Sequence, residues 1–276
     1  MIQFQARQQQ QSKLATAVSM LEVIYVATVR QLRTSHTNAI VGLFLNMLQT
    51  MLLVGVFYFM YAVLGLRGTL IRGDFLIYIM SGIFLYMTHV KTLGAVAGAA
   101  GPTSAMMQHA PMNTLVAIVS SALSQLYIQV LTVVIVLYIY HIAFNPIEFE
   151  NVLGAFGMLL LAWFSGIGVG LIFLALRPWF PNFTRVGTQL YTRANMIASG
   201  KMFVANTLPY TMLKIFDWNP LFHIIDQARG FAFINYNPHY SNWLYPLIVS
   251  VVLMMIGLMG ESYTRKHASL SWGARR

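Results

Sequence analysis

The chain has no cysteine among its 276 residues, which excludes disulfides, thiolate nucleophiles and metal sites with cysteine ligands. Charged residues are also scarce: only 9% of the chain is Asp, Glu, Lys or Arg, whereas a soluble domain usually carries about 25%. Hydrophobic residues make up 58% of the chain. Most of the chain is therefore predicted to be in contact with lipid.

Nucleotide-binding and catalytic motifs are missing as well. No G-x-x-x-x-G-K-[ST] motif occurs, so any ATP and Mg²⁺ must be bound by a separate subunit. The apolar runs contain no Asp or Glu, which argues against proton- or cation-coupled transport. No histidine stands beside a carboxylate at a plausible inner-face site, which argues against a transferase. The chain is predicted not to be an enzyme and to hold no cofactor or metal itself.

What the chain does contain is a series of long apolar runs. A helix needs about 20 apolar residues to cross a bilayer, and the sequence predicts an all-α integral membrane protein with about six such spans. They are placed at 39–64, 75–97, 114–142, 152–176, 186–204 and 243–259. The fifth run is unusually polar. It is counted as a span because the positions of the basic residues, described next, require an even number of spans.

Lys and Arg outnumber Asp and Glu by 17 to 7, but they are scattered between the apolar runs. This pattern indicates membrane orientation and not nucleic-acid binding. The basic groups before the first span, between the fourth and fifth, and after the last share one side only if the number of spans is even. Both termini of this multi-pass membrane protein are therefore expected to be cytoplasmic. The predicted boundaries are a disordered terminus at 1–18, an interface helix at 19–36, a transmembrane domain at 37–264 and a tail at 265–276.

Residues 19–33 form a candidate amphipathic helix. At about 100° per residue, Leu21, Ile24, Tyr25, Thr28 and Leu32 fall on one face, and the charged residues fall opposite. Such a helix either lies flat at the inner membrane surface, in contact with lipid headgroups, or packs as an ordinary cytoplasmic helix.

The segment 206–242 is too long for a turn and too aromatic for a solvated linker. Asn219 followed by Pro220 is typical of a helix start, and about 13 mainly apolar residues follow. That length is short of a full crossing. Two short re-entrant helices are predicted here, between the fifth and sixth spans. The pair His223 and Asp226, three residues apart, is interpreted as structural hydrogen bonding.

All charges within the predicted spans are cationic. Arg193 lies near the middle of its span, where a charge costs at least about 2.5 to 3.5 kcal/mol in lipid, so it is predicted to face water, protein or an anionic cargo. A place in a translocation path is the preferred interpretation. Tyr191 is placed beside Arg193. Lys91 and Lys201 are also candidates for the path, although both lie near span ends and could extend their charges towards headgroups.

Four motifs resemble one known family. They are V-R-Q-L-R at 29–33, M-Q-H-A-P-M at 107–112, G-I-G-V-G-L-I-F at 166–173, and W-N-P-L-F-H at 218–223 followed by Asp226 and Arg229. Together they resemble the permease subunits of type-2 ABC exporters that export capsular polysaccharide and O-antigen. The glycine-rich run is interpreted as a helix-packing surface.

The resemblance implies a homodimer of six-span subunits joined by two copies of an ATP-binding subunit, with a lipid-linked polysaccharide as cargo and a possible periplasmic export partner. It implies contacts with the ATP-binding subunit at Arg30, Arg33, Gln108, His109 and Pro111. It implies a periplasmic gate formed by Trp218, Asn219, Pro220, His223, Asp226 and Arg229. Open alternatives are export of a lipid, teichoic acid or drug by the same architecture, a membrane-bound glycan- or lipid-modifying enzyme, and a passive channel.

Overall fold

A computed structural model describes residues 13–34, 39–65, 74–100 and 114–267 of the chain. Within these ranges the protein is built of α-helices and one short 3₁₀ turn, with no strand, which confirms the all-α membrane class. The helices are α1 (Lys13–Thr34), α2 (Ala39–Val63), α3 (Phe75–Ala97), α4 (Thr114–Ala143), α5 (Val152–Leu176), α6 (Pro181–Ala198), α7 (Tyr210–Phe216), α8 (Pro220–Ala232) and α9 (Leu244–His267), with the 3₁₀ turn at Ala205–Thr207.

Five of these helices, α2, α3, α4, α5 and α9, are long and apolar enough to cross a membrane. Each agrees with a predicted span, although α9 continues past residue 259 and so includes Glu261. The predicted fifth span, 186–204, is not among the five. The count of six spans, and with it the placement of both termini on one side, stays a prediction.

The helix in place of the fifth span begins and ends earlier than predicted. α6 has 18 residues, a length of about 27 Å, against a bilayer core of about 30 Å. It ends because Gly200, just beyond its C-terminal cap, adopts a left-handed conformation with φ of 75°. Residues 199–204 therefore form a non-helical segment where the sequence predicted the last turns of a span.

α5 is the central helix and packs most extensively against α9 and α3. Its glycines permit the close approach: a Cβ added at Gly166 would lie 2.6 Å from the backbone oxygen of His89 on α3, and one at Gly168 would lie 3.0 Å from the backbone oxygen of Ser250 on α9. The predicted packing role of this run is consistent with these contacts. α3 and α5 are mostly buried, whereas α2, α4 and α9 expose apolar surface of the kind that lipid covers.

α1 is the amphipathic helix, and it begins at Lys13, before its predicted start at Ser19. It packs against α4. Of its predicted apolar face, Ile24, Thr28 and Leu32 are half-buried, while Leu21 and Tyr25 are exposed. Part of the apolar face thus packs in the protein and part is left for another surface.

The two short helices predicted between the last two spans are present as α7 and α8. α8 packs against α5 and α3, and most of its side chains are buried. Its start follows the predicted signal: the Asn219 side chain accepts a hydrogen bond from the Leu221 N–H, and Pro220 occupies the first helical position. The depth of these helices relative to a bilayer stays a prediction.

Candidate translocation path and gate

α6 presents three different faces around its axis. One face packs against the protein through Thr184, Thr188, Tyr191 and Asn195. A second face is exposed and apolar, and a third is exposed and polar. The apolar face comprises Phe183, Val186, Leu190 and Ile197. The polar face comprises Asn182, Arg185, Gln189 and Arg193, with the exposed side chain of Met196 among them. Arg193 therefore lies at the edge of an exposed, mainly polar stripe, next to the apolar stripe.

Lys201, the second predicted path residue, lies inside the protomer. Its side chain is only 3% exposed, so its charge does not extend to the surface as the headgroup interpretation required. The ammonium lies 3.7 Å from the centroid of the Tyr86 ring and 4.8 Å from that of Phe57. Among the described residues it has no hydrogen-bond partner. The two aromatic faces attract the cation, each by about 0.5 to 2 kcal/mol, and offset part of the cost of removing it from water.

Lys91 and Tyr191 have separate partners. The Lys91 ammonium, half-buried on α3, donates to Oε1 of Gln49 on α2 at 2.5 Å. The Tyr191 hydroxyl lies 3.0 Å from Nε2 of His89, whose Nδ1 lies 2.8 Å from Oγ of Ser165. Of the predicted path residues, Lys201 is thus buried, Lys91 and Tyr191 are half-buried, and Arg193 is exposed.

The hydrogen positions in this buried series of Tyr191, His89 and Ser165 can be assigned from its donors and acceptors. The contacts are all satisfied when the Ser165 hydroxyl donates to the Ala162 carbonyl and accepts from the N–H at Nδ1 of His89. Nε2 of His89 then accepts from the Tyr191 hydroxyl. The series ties α6 to α3 and α5. Sequence reasoning missed it, although a histidine within an apolar span is itself a signal of a specific partner.

Arg229 is the most buried of the predicted gate residues, with 0% of its side chain exposed. One terminal nitrogen donates to the carbonyls of Gly200 and Phe203 at 2.9 and 2.7 Å, and the other donates to that of Lys201 at 2.8 Å. The guanidinium also lies 4.2 Å from the centroid of the Tyr78 ring on α3. Arg229 therefore satisfies three carbonyls of the non-helical segment that follows α6, most of which is buried.

Asp226 and His223 hold a different segment onto α8. Asp226 accepts hydrogen bonds from the hydroxyls of Tyr236 and Ser241. His223 contacts the Asp217 carbonyl at Nε2, and its Nδ1 accepts from the Asn242 N–H at 3.2 Å. The interpretation of both side chains as structural is consistent with these contacts.

Asn219 and Trp218 occupy the junction between α7 and α8. The Asn219 amide donates to Oδ1 of Asn195 at 3.0 Å and to the Ala198 carbonyl at 2.9 Å, so the start of α8 is joined to the end of α6. The Trp218 side chain is 74% exposed, and its carbonyl accepts from the Tyr245 hydroxyl at 2.8 Å. α8 is thus anchored at several points, and Trp218 is the gate side chain left at the surface.

The residues predicted to contact an ATP-binding subunit are only partly described. Arg30 and Arg33 are exposed near the C-terminal end of α1. Gln108, His109 and Pro111 lie outside the described residues. This contact stays a prediction.

Comparison with known proteins places this geometry in context. No family model matches the chain. The chain is 22% identical over 225 residues to a protein from Escherichia coli described as "Polysialic acid transport protein KpsM", a match that covers 80% of this chain and 83% of the relative. A second Escherichia coli protein of the same description is 23% identical over 202 residues, covering 72% of this chain and 76% of the relative. These two similarities confirm the family resemblance found in the motifs.

Proposed function

We propose that this chain is the transmembrane subunit of an ATP-driven exporter of surface polysaccharide. The premise is that it is a permease of the polysaccharide-exporting ABC family, which its motifs and its two KpsM relatives indicate. It works as a homodimer in the bacterial inner membrane, with two copies of an ATP-binding subunit that hold ATP and Mg²⁺. The cargo is a polysaccharide that carries carboxylate or phosphate groups.

The observation that carries this proposal is the exposed polar face of α6. Arg185 and Arg193 lie on one side of a helix that belongs to a largely apolar bundle. An arginine at the centre of a bilayer costs at least about 2.5 to 3.5 kcal/mol, so Arg193, farther along the helix, needs water, protein or an anionic ligand beside it and not lipid. A cationic face of this kind suits an anionic polymer.

A two-fold axis beside α6 accounts for both of its exposed faces. Placing two protomers about that axis brings their polar faces together across a shared corridor and doubles the cations along it. The neighbouring apolar face then packs on the second copy or on lipid. A corridor with cations of one sign and low-dielectric walls concentrates anions.

The contacts of α8 suggest how such a corridor opens. Arg229 holds the segment after α6, and Asn219 holds the end of α6 itself, so α6 and α8 are expected to move as one body. Closure of the ATP-binding subunits pushes α1 and the segment that contains Gln108, His109 and Pro111, and α1 transmits the push to α4, against which it packs. The bundle responds by separating the two α6 helices.

The test is export by the complete transporter, in cells or in vesicles that contain both subunits. Arg193→Glu reverses the charge of an exposed side chain without disturbing the core, so assembly should remain normal while surface polysaccharide falls by more than tenfold. Arg193→Lys is the matched control, because it keeps the charge and should keep most export. Full export by Arg193→Glu would refute the cationic corridor.

A further inference from the structure

An open cleft of about 610 Å³ lies where α5 turns into α6. This volume is in the range of about 300 to 1,000 Å³ that is typical of small-molecule sites. Six residues line it, none of them acidic: Trp179, Phe180, Pro181, Asn182, Phe183 and Arg185. The cleft thus combines three aromatic rings with one guanidinium and one amide.

The Trp179 ring in this cleft is held in place by α9. Its Nε1 donates to Oγ1 of Thr264 at 3.0 Å, and its ring stacks on that of Tyr263 with centroids 6.1 Å apart. Phe180 is 60% exposed, so its ring is available to a ligand, whereas Phe183 belongs to the apolar face of α6. Flat aromatic faces pack well against the C–H faces of sugar rings.

Arg185 supplies the charge. Its planar guanidinium has a fork of N–H donors that matches the two oxygens of a carboxylate or phosphate. Asn182 adds an amide that can donate to or accept from a sugar hydroxyl. A ligand that uses the whole lining therefore has a sugar ring and an anionic group next to each other.

The position of the cleft relates it to the candidate path. Asn182 and Arg185 are the first two members of the polar face of α6, which continues through Gln189 to Arg193. The cleft lies at the end of the bundle where Tyr263 and Thr264 of α9 pack, close in sequence to Arg265 and Lys266. In the proposed topology this is the cytoplasmic end.

We infer that this cleft is the entry site for the exported polysaccharide: a terminal sugar ring packs on Trp179 and Phe180 while its carboxylate or phosphate binds Arg185. The inference rests on the proposed function, since it assigns the cleft to the same cargo and direction. It adds a binding site at the start of the polar face, from which the end of the polysaccharide passes to Gln189 and Arg193.

The test measures binding to the purified permease in lipid nanodiscs, apart from export. The probes are a sialic acid trimer, which carries carboxylates, glucose 1-phosphate, which carries phosphate, and neutral maltotriose. The signal is the tryptophan fluorescence that disappears in Trp179→Phe. We expect at least one anionic probe to change this signal and maltotriose not to change it, and Arg185→Gln to weaken binding by about tenfold or more.

Arg265→Gln is the matched control, because it removes an exposed cation at the same end of the molecule but outside the cleft. It should bind as the wild type does. Equal binding of maltotriose and the acidic probes, or equal binding by Arg185→Gln and the wild type, would overturn the inference. So would loss of the ATP-binding subunit from Arg185→Gln with sugar binding unchanged, since the cleft would then be a subunit contact.

An export assay separates this inference from the proposed function. If wild-type vesicles with both subunits move no polysaccharide when ATP is added, the proposed function is wrong, whatever the cleft binds. If they move it, and Arg185→Gln moves and binds it equally well, only the entry site is wrong. Quenching of the Trp179 signal by brominated lipid, with no response to any sugar probe, would show that acyl chains fill the cleft and would also overturn it.

Discussion

Replacing Arg229 with methionine removes the group that donates to three carbonyls of the largely buried segment after α6. The guanidinium makes three hydrogen bonds of 2.7 to 2.9 Å to the segment after α6, and each bond from a charged donor contributes about 1.5 to 3 kcal/mol. Part of that is offset, because methionine carries no charge that has to be buried. The net loss of stability is expected to be about 3 to 5 kcal/mol.

This loss should be measurable as thermal unfolding in nanodiscs. For a chain of this size, about 3 to 5 kcal/mol corresponds to a fall in Tm of about 6 to 20 °C. The Tm of Arg229→Lys should lie between those of the wild type and Arg229→Met, since one ammonium keeps the charge but cannot reach all three carbonyls as the planar guanidinium does. Lys214→Met is the control: it removes an exposed cation from α7 and should change the stability by no more than about 0.5 kcal/mol.

A local measurement distinguishes release of the segment from general destabilisation. The chain has no cysteine, so Ser199→Cys introduces a single thiol at a position that is 0% exposed. At a temperature where both proteins are folded, a maleimide should label this thiol slowly with Arg229 present and quickly in Arg229→Met. If Arg229→Met unfolds at the wild-type temperature and the thiol stays protected, the hydrogen bonds do not hold the segment.

Two further predictions concern packing and pH. Gly166→Ala should destabilise the protein by about 1 to 3 kcal/mol, because the new Cβ would lie 2.6 Å from a backbone oxygen of α3. Gly157→Ala is the control, because its new Cβ would have no atom within 4 Å. Equal Tm values for the two variants would contradict the close packing of α3 and α5. Burial raises the pKa of Asp74, but hydrogen bonds from Tyr140, Asn145 and the Leu76 N–H outweigh it and lower the pKa below 3.8. The stability that Asp74 contributes is therefore present above pH 3.8 and is lost as the pH falls through the lowered pKa. The wild type should thus be more stable than Asp74→Asn at neutral pH and lose this difference in Tm only in acid. A difference in Tm that is the same at every pH would refute this.

Features that depend on neighbouring residues could be predicted from the sequence. The five long apolar helices were predicted because their runs are continuous and a bilayer requires helices of that length. The start of α8 was predicted because Asn219 and Pro220 act on the first turn directly. The glycines of α5 indicated close packing because nothing larger fits between helices in contact.

The end of α6 was predicted wrongly although its signal was present. The apolar residues around 202–204 extended the run past Gly200, and the span length expected from the bilayer outweighed the helix-ending glycine. The structure instead folds 199–204 into the protein, where Arg229 satisfies its carbonyls. Donors from residues distant in the chain, Arg229 and Tyr61, stabilise this segment.

The sequence by itself thus determined the class of the protein, the long helices and the excess of cations, because apolar length and charge are properties of the chain alone. Only the tertiary structure decided that Lys201 is enclosed by aromatic rings, that His89 links Tyr191 to Ser165, and that Arg193 is left exposed. These outcomes depend on contacts between residues up to 144 positions apart in the chain, the separation of Lys201 and Phe57. No helical period or local motif contains that information, since it arises when the helices pack.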